Sequence, residues 1–382
     1  MVTIGMLRET NPLDCRVAVT PSVVRHVVES GAAVWVETGA GNCAKFPDAD
    51  YLRAGARIGY SPGEVIRRSD LVVMITTPGL EELSLCEPGQ AVMAFFHMAA
   101  VGKGIFGRLV EGRVTSLGCE IVQTADGRLP LLAAMSEIAG QMTVPVAAHL
   151  LRSSVGGRGI LLGGSPGIPP AEVVILGAGT VGTWAARAAH ANGAQVTVFD
   201  KDAQKLRRLM EHLPNIATAL ADPDAIGPAV AGADVVIGAV LVAGARTPHV
   251  VTREMVETMK PGSVIIDVAI DQGGCVETSR PTTIADPTFL YHGVLHYCVP
   301  NLTADMGRSA SIALGQALMP YLIDVAQQGL VGALRSRQDL ARGVYTFAGH
   351  CVNASLASAW GAECADLAVL LEESAETRAV AR

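Results

Sequence analysis

Charge is scarce in this chain. Asp, Glu, Lys and Arg make up 17% of its 382 residues, against ~25% in ordinary soluble domains. No block of Lys and Arg occurs, and the formal net charge is −7. Phosphate neutralisation needs clustered positive charge, so no nucleic-acid partner is expected. An acidic surface also has no attraction for anionic membranes. Aromatics stand at 4% and form no stripe interleaved with basic residues. No uncharged apolar run reaches the ~18 residues needed to span a bilayer, so no membrane association is expected. The opening residues 1–9 are too short in apolar length for a signal peptide. Cysteines are spread at 15, 43, 86, 119, 275, 298, 351 and 364, with no CxxC pair and no metal-like spacing. They read as reduced core or pocket residues of a cytoplasmic protein, and no metal site is expected.

What is plentiful is apolar surface. Half of the residues are hydrophobic, enough for a core in each of the two or three domains that this length accommodates at ~100–200 residues per domain. With so little charge, large subunit contacts are a natural use of the surplus, and a homo-oligomer is expected.

Strands alternate with helices through the first third. Val2 to Met6, Ala33 to Glu37, Leu71 to Ile75, Gln90 to Phe96 and Val114 to Val122 read as strands. A helix opens at Thr20-Pro21 and runs to Gly31, with Thr20 as N-cap and Pro21 at the first helical position. Another covers Val101 to Glu111. This alternation implies a parallel sheet covered on both faces. Leu129 to Leu151 is a long Ala-rich helical segment. The Gly/Pro-rich stretch after it, 156–170, reads as a linker or domain entry. A second alternating block follows, with strands at Val173–Leu176, Gln195–Phe199, Val235–Ala239 and Ser263–Val268. The run Val235 to Ala245 is a buried strand and its turn. A helix of Ala310 to Gln328 then leads back to the first domain. The expected fold class is α/β, with two doubly wound Rossmann-like domains. One, residues 136–306, is inserted into a discontinuous partner, residues 1–135 and 307–382.

The inserted domain carries Gly177-Ala178-Gly179-Thr180-Val181-Gly182 between a β-branched strand and an Ala-rich helix. In a dinucleotide fingerprint Gly177 makes the tight turn, Gly179 lets the backbone approach the pyrophosphate, and Gly182 allows helix–strand packing. The backbone N–H groups at Thr180 and Val181 open the helix toward phosphate. Asp200 ends the next strand, 23 residues after Gly177. A carboxylate there accepts from ribose hydroxyls and repels the extra phosphate of NADP. NAD is the expected cofactor. The bland alternative is a glycine turn in some other doubly wound fold.

The segments Arg8-Glu9-Thr10, Arg16-Val17-Ala18-Val19-Thr20-Pro21, Phe96-His97-Met98-Ala99-Ala100, Leu129 to Gly140, Asp267 to Cys275 and His296 to Asn301 resemble alanine dehydrogenases and the related NAD-binding part of proton-pumping transhydrogenases. The match runs to about residue 345 and is nearer to alanine dehydrogenase. The resemblance implies an inserted NAD domain, a homohexamer, and reversible oxidative deamination of a small L-amino acid. It implies that Arg16 holds the substrate carboxylate, His97 is the acid/base, Asp271 completes the site, and Asn301 lies near nicotinamide and substrate. Ser136 joins the cofactor-binding set. The chemistry fits these residue types. A guanidinium fork reads a carboxylate in two bonds, and imidazole titrates near neutrality. Read without the resemblance, Arg16 is a surface or domain-bridging ion pair before it is a substrate residue, and His97 a structural histidine after an apolar strand. Asn301 equally pins a turn, and Ser136-Glu137 is helix-end chemistry.

The sequence departs from the family on the substrate side. The family's substrate-binding lysine falls on Thr76 in Met74-Ile75-Thr76-Thr77-Pro78, and its acidic neighbour on Thr77. A tyrosine that usually precedes the Glu120 position is Cys119, and a lysine after Glu9-Thr10 is Asn11. Pro300 to Ser311 also differs. These changes lead to the expectation of an NAD-dependent oxidoreductase acting on a small amino acid, 2-oxo acid or imine, with a pocket altered relative to alanine dehydrogenase. Ordinary alanine dehydrogenase is one alternative. A non-redox or regulatory NAD-binding protein is another.

Overall fold

Fifteen short strands order the described residues of the computed structural model, which are 1–98, 102–242 and 246–380. The first six are β1 (Thr3–Met6), β2 (Ala33–Glu37), β3 (Arg57–Gly59), β4 (Leu71–Thr76), β5 (Ala91–Phe95) and β6 (Thr115–Gly118). The next seven are β7 (Glu172–Leu176), β8 (Gln195–Asp200), β9 (Ala217–Leu220), β10 (Val235–Gly238), β11 (Val264–Asp267), β12 (Thr288–Tyr291) and β13 (Val294–Tyr297). The chain closes with β14 (Val344–Phe347) and β15 (His350–Cys351).

Two compact units result, one of Met1–Met135 with Ala304–Arg382, the other of Ser136–Thr303. In the first, the sheet order is β15-β14-β6-β5-β4-β1-β2-β3. The run β6-β5-β4-β1-β2-β3 is parallel, and β14 and β15 add antiparallel pairs at the β6 edge. In the second, the order is β12-β13-β11-β10-β7-β8-β9, parallel except for β12. Each unit thus carries a doubly wound sheet whose strand order reverses once, at β1/β4 and at β7/β10.

The strand sequences explain the burial. Val72, Val73, Met74 and Ile75 of β4, and Ala91 to Phe95 of β5, are buried on both faces. Such uninterrupted apolar runs suit parallel strands sandwiched between helices. In the second unit the two sheet faces make separate cores. Val173, Ile175, Val235 and Ile237 face one side with Ala185 and Ala189, while Val174, Leu176 and Val236 face the other with Ile226 and Val230.

Several expectations are refined. The predicted strand Val114–Val122 stops at Gly118 and passes into a 3₁₀ turn, Cys119–Ile121, which turns Glu120 inward. The helix expected at Ala310–Gln328 spans Gly307–Ser336, with a break at Gly329 (φ 73°). Thr20 stands at the N-cap of Pro21–Glu29, but its side chain makes no capping bond. Ala99, Ala100, Val101 and the end of the Val235–Ala245 run, 243–245, lie outside the described residues.

The Gly/Pro-rich stretch 156–170 is not a passage between units; it lies inside the second. Its glycines serve close packing instead. A Cβ on Gly157 would stand 2.0 Å from the Leu150 carbonyl oxygen, and one on Gly163 2.1 Å from that of Asn192. Two helical segments, Pro130–Leu150 and Leu302–Ser336, are long and apolar enough to cross a membrane by length and composition, and 44% and 50% of their most apolar windows are buried within the structure. Gly140 in the first abuts helix Thr180–Ala191, where a Cβ would meet the Val181 carbonyl at 2.4 Å.

The cysteine reading needs one correction. Cys15 and Cys43 form a disulfide; the other six are free. The two are 28 residues apart, so spacing alone could not pair them. They sit in the loops after β1 and β2, which are neighbours in the sheet.

Candidate active site

In a doubly wound sheet, ligands bind beyond the carboxyl ends of the strands, at the reversal of strand order. The predicted residues of the first unit lie there. Arg16 follows β1, Thr76 ends β4 and His97 follows β5.

Arg16 is 3% exposed. Its Nε donates to Asp14 Oδ1 at 2.8 Å and its Nη2 to Asp14 Oδ2 at 2.5 Å, a buried two-bond fork. Asp14 Oδ1 also accepts the Arg16 amide at 3.1 Å. The ion-pair reading of Arg16 therefore holds locally, but the pair is buried rather than at the surface. Cys15, between the two, carries the disulfide.

Thr76 is tied to a buried carboxylate. Glu9 accepts the amides of Ile75 (2.7 Å) and Thr76 (3.0 Å), and the Thr76 hydroxyl donates to it as well. Burial holds the Glu9 carboxyl above its ordinary range, and the charge of Asp14 adds to the rise; the bonds from Thr76 and Ile75 only partly offset it. A hydroxyl–carboxylate pair thus stands at the end of β4.

His97 has φ 44°, in the left-handed region that few non-glycine residues adopt. The groups around it are captured. Glu120 Oε1 accepts the His97 amide at 2.7 Å, and Oε2 the Phe96 amide at 3.1 Å. The Thr77 hydroxyl donates to the carbonyls of Phe95 (3.2 Å) and Phe96 (2.9 Å). Tyr345 donates its hydroxyl to Glu120 Oε1 at 2.8 Å.

In the second unit the glycine turn connects β7 to helix Thr180–Ala191. Gly177 has φ 106°, and a Cβ there would stand 2.5 Å from the Ala239 carbonyl oxygen. A Cβ on Gly182 would come within 1.8 Å of the Gly177 carbonyl oxygen, whereas one on Gly179 meets nothing within 4 Å. Two glycines are thus demanded by packing, and the middle one borders open space. Helix Thr180–Ala191 begins there with Gly179 as N-cap and no side-chain capping bond, so its first amides are available to an anion. Asp200, 7% exposed, accepts the Ala178 amide at 2.7 Å and the Asp202 amide at 2.8 Å, with Lys205 Nζ 3.9 Å away. These features fit a pyrophosphate on the turn and a ribose beside Asp200.

Asp271 lies in the 3₁₀ turn Val268–Gln272 after β11. Its Oδ1 accepts the Asn301 amide at 2.9 Å, and Asn301 has φ 53°. The turn is anchored by Asp267, which accepts the amides of Ala269, Cys275 and Val276. Burial raises the Asp267 carboxyl. Ser136 is half-buried and lies well inside helix Pro130–Leu150, not at a helix start. A cavity of about 1070 Å³ lies against Arg335, Asn353, Cys364 and Asp366 and touches none of the predicted site residues.

The sequence reading missed Asp14, Glu120 and Tyr345, and did not single out Glu9 as a side chain. Asp14 had a signal, an acid two residues before the key arginine. Glu120 and Tyr345 are 225 residues apart and meet only because β14 pairs with β6.

Sequence comparison adds the decisive finding. The profile of the alanine dehydrogenase/PNT N-terminal domain matches residues 5–139, and that of the alanine dehydrogenase/PNT C-terminal domain residues 143–354. The chain belongs to the alanine dehydrogenase/PNT family. It is 42% identical to the alanine dehydrogenase of Mycobacterium tuberculosis over 359 residues, 94% of this chain and 96% of that protein. It is 40% identical to the alanine dehydrogenase of Halomonas elongata over 369 residues, 96% of this chain and 99% of that protein. A solved L-alanine dehydrogenase structure superposes with a TM-score of 0.89 at 40% identity, covering 94% of this chain and 99% of that one. The transhydrogenase of Sinorhizobium meliloti shares the fold, with a TM-score of 0.78 at 23% identity over 92% of this chain and 99% of that one.

Proposed function

We propose that this chain is an NAD-dependent L-alanine dehydrogenase. It interconverts L-alanine, NAD⁺ and water with pyruvate, ammonium, NADH and a proton. The observation that carries this reading is the 42% identity to an alanine dehydrogenase over nearly the whole length of both chains. Bound NAD supplies the hydride acceptor, and the protein supplies position, charge and proton transfer.

Each residue has a role in this reading. Gly177, Gly179, Thr180, Val181 and Gly182 present the turn and helix N-terminus to the pyrophosphate, Asp200 takes the ribose, and Ser136 borders the cofactor. Arg16 holds the substrate carboxylate, its angle set by Asp14. His97 removes the proton from the ammonium and passes protons through imine hydration. Asp271 balances the ammonium and iminium charge and orients water, and it holds Asn301 through the backbone. The enzyme works as a homo-oligomer, a hexamer by family resemblance. The compartment proposed is the cytoplasm, and the Cys15–Cys43 bond is the observation that weighs against a reducing one.

The Glu9–Thr76 pair favours a second reading, a substrate larger or differently charged than alanine. A buried carboxylate with a hydroxyl offers hydrogen-bond acceptance where a lysine would offer positive charge. Steady-state amination of pyruvate against a panel of 2-oxo acids, followed by NADH consumption, separates the two. Pyruvate as the best substrate supports alanine dehydrogenase. Another oxo acid preferred tenfold or more supports the altered pocket. In the second case Thr76→Lys raises pyruvate amination. Silence across the panel with NADH binding intact sinks both.

A further inference from the structure

We infer that Glu120 and Tyr345 are positioning residues for His97, a pair that sets the angle at which the imidazole is presented. The inference rests on the reading of His97 as the acid/base group and assigns two further residues to its control.

Glu120 is 5% exposed and sits where β6 gives way to a 3₁₀ turn. Its two oxygens take three donors: the amides of Phe96 and His97, and the Tyr345 hydroxyl. The first two are the backbone N–H groups that lead into the left-handed residue His97. A non-glycine residue in that region is strained and persists only when its surroundings over-determine it. Thr77 completes the enclosure by binding the carbonyls of Phe95 and Phe96. The backbone leading into His97 is therefore set by side chains that follow β4 and β6.

Tyr345 fixes the carboxylate itself. It comes from β14, far along the chain, and is 5% exposed. Its ring meets Phe96 edge-on at 6.4 Å between centroids. Gly118 makes room for it, since a Cβ there would lie 2.4 Å from Tyr345 Cε2 and 3.1 Å from both Glu120 oxygens. Burial and the neighbouring Glu120 charge push the Tyr345 phenol far above its ordinary range. It therefore stays protonated and donating across any working pH. Oε1 accepts from both Tyr345 and His97, so loss of the phenol hydroxyl frees the oxygen that holds the His97 amide. A small rotation of that oxygen tilts the imidazole, and misplacement of a proton-transfer group slows chemistry more than binding.

The experiment is a double-mutant cycle on alanine oxidation. Tyr345→Phe keeps the ring and removes one hydrogen bond. It is expected to lower kcat roughly 10- to 150-fold, the effect of losing one hydrogen bond to a charged group, with the KM for NAD unchanged. In the His97→Ala background the same change has no effect, because no imidazole remains to position. Imidazole added to His97→Ala restores activity equally with Tyr or Phe at 345. Glu120→Asp, which keeps the charge and shortens the reach, gives the same pattern and serves if Tyr345→Phe fails to fold. An equal loss in both backgrounds overturns the proposal and leaves the pair merely structural. A fully active Tyr345→Phe beside an inactive His97→Ala also overturns it while sparing the role of His97. An active His97→Ala removes the reading on which it stands.

Discussion

Asp200→Ser tests how the chain selects its cofactor. Asp200 is buried, with Oδ2 on the Ala178 amide at 2.7 Å and Oδ1 on the Asp202 amide at 2.8 Å. The carboxylate therefore ties the glycine turn to the end of β8, and in the proposed reading it puts a negative charge beside the adenosine ribose. A 2′-phosphate about 5 Å away carries close to two charges. Their repulsion is ~2–3 kcal/mol at an effective dielectric of ~40–80, a discrimination of ~30- to 150-fold against NADP. Serine removes the charge but retains an acceptor for the Ala178 amide, so the turn persists. Lys205, 3.9 Å from the carboxylate, then turns from a partner of Asp200 into a cation available to phosphate. The ratio of kcat/KM for NADP to that for NAD is expected to rise ~10- to 100-fold, with NAD itself ~5- to 20-fold poorer for lack of a charged ribose acceptor. The assay is alanine oxidation with each cofactor in turn, alongside thermal melting to show that the variant folds. Equal use of both cofactors by the unaltered protein, or an unchanged ratio in the variant, refutes the reasoning.

Arg16→Lys keeps the charge but cannot reproduce the fork on Asp14. It is expected to lower kcat/KM for pyruvate by ~10- to 100-fold, mostly through KM, and an unchanged KM removes Arg16 from substrate binding. The disulfide predicts six titratable thiols in denatured, unreduced protein and eight after reduction; chain entropy of a loop this long gives ~3–4 kcal/mol of stability lost on reduction, read from urea unfolding. His296 is buried, donates Nδ1–H to the Val294 carbonyl and accepts the Thr278 hydroxyl at Nε2. Burial lowers its pKa from 6.5. The unfolded chain then binds a proton first as pH falls. The stabilisation is complete above pH ~6.5 and declines below it by up to ~1.4 kcal/mol per pH unit. His296→Gln is expected to flatten that part of the stability–pH curve, and a parallel curve for the variant contradicts the assignment.

The layered fold was legible because its evidence is local. Apolar strands alternate with helices, and the glycine turn stands between a strand and a helix at the spacing its packing demands. The glycines at 157 and 163 misled for the same reason. A run of Gly and Pro looks like a linker, but here each glycine lies against a backbone carbonyl that only the folded chain brings close. Of the proposed site, the sequence offered single residues, Arg16 and His97, through the family pattern. Its supporting groups were not legible. Glu9 meets Thr76, and Glu120 meets Tyr345, across strand pairings whose partners are far apart in sequence. Cys15 and Cys43 likewise meet because β1 and β2 are neighbours. Thr76 stood out in the sequence, but the buried carboxylate that binds it did not.

The most direct test of the account is hydride tracing. L-alanine deuterated at C2 is incubated with NAD⁺ and the purified protein, and the reduced cofactor is examined by mass spectrometry. The account predicts one deuterium in the recovered NADH together with stoichiometric pyruvate and ammonium. Bound NAD with no deuterium transferred, from alanine or from any amino acid supplied in its place, contradicts it.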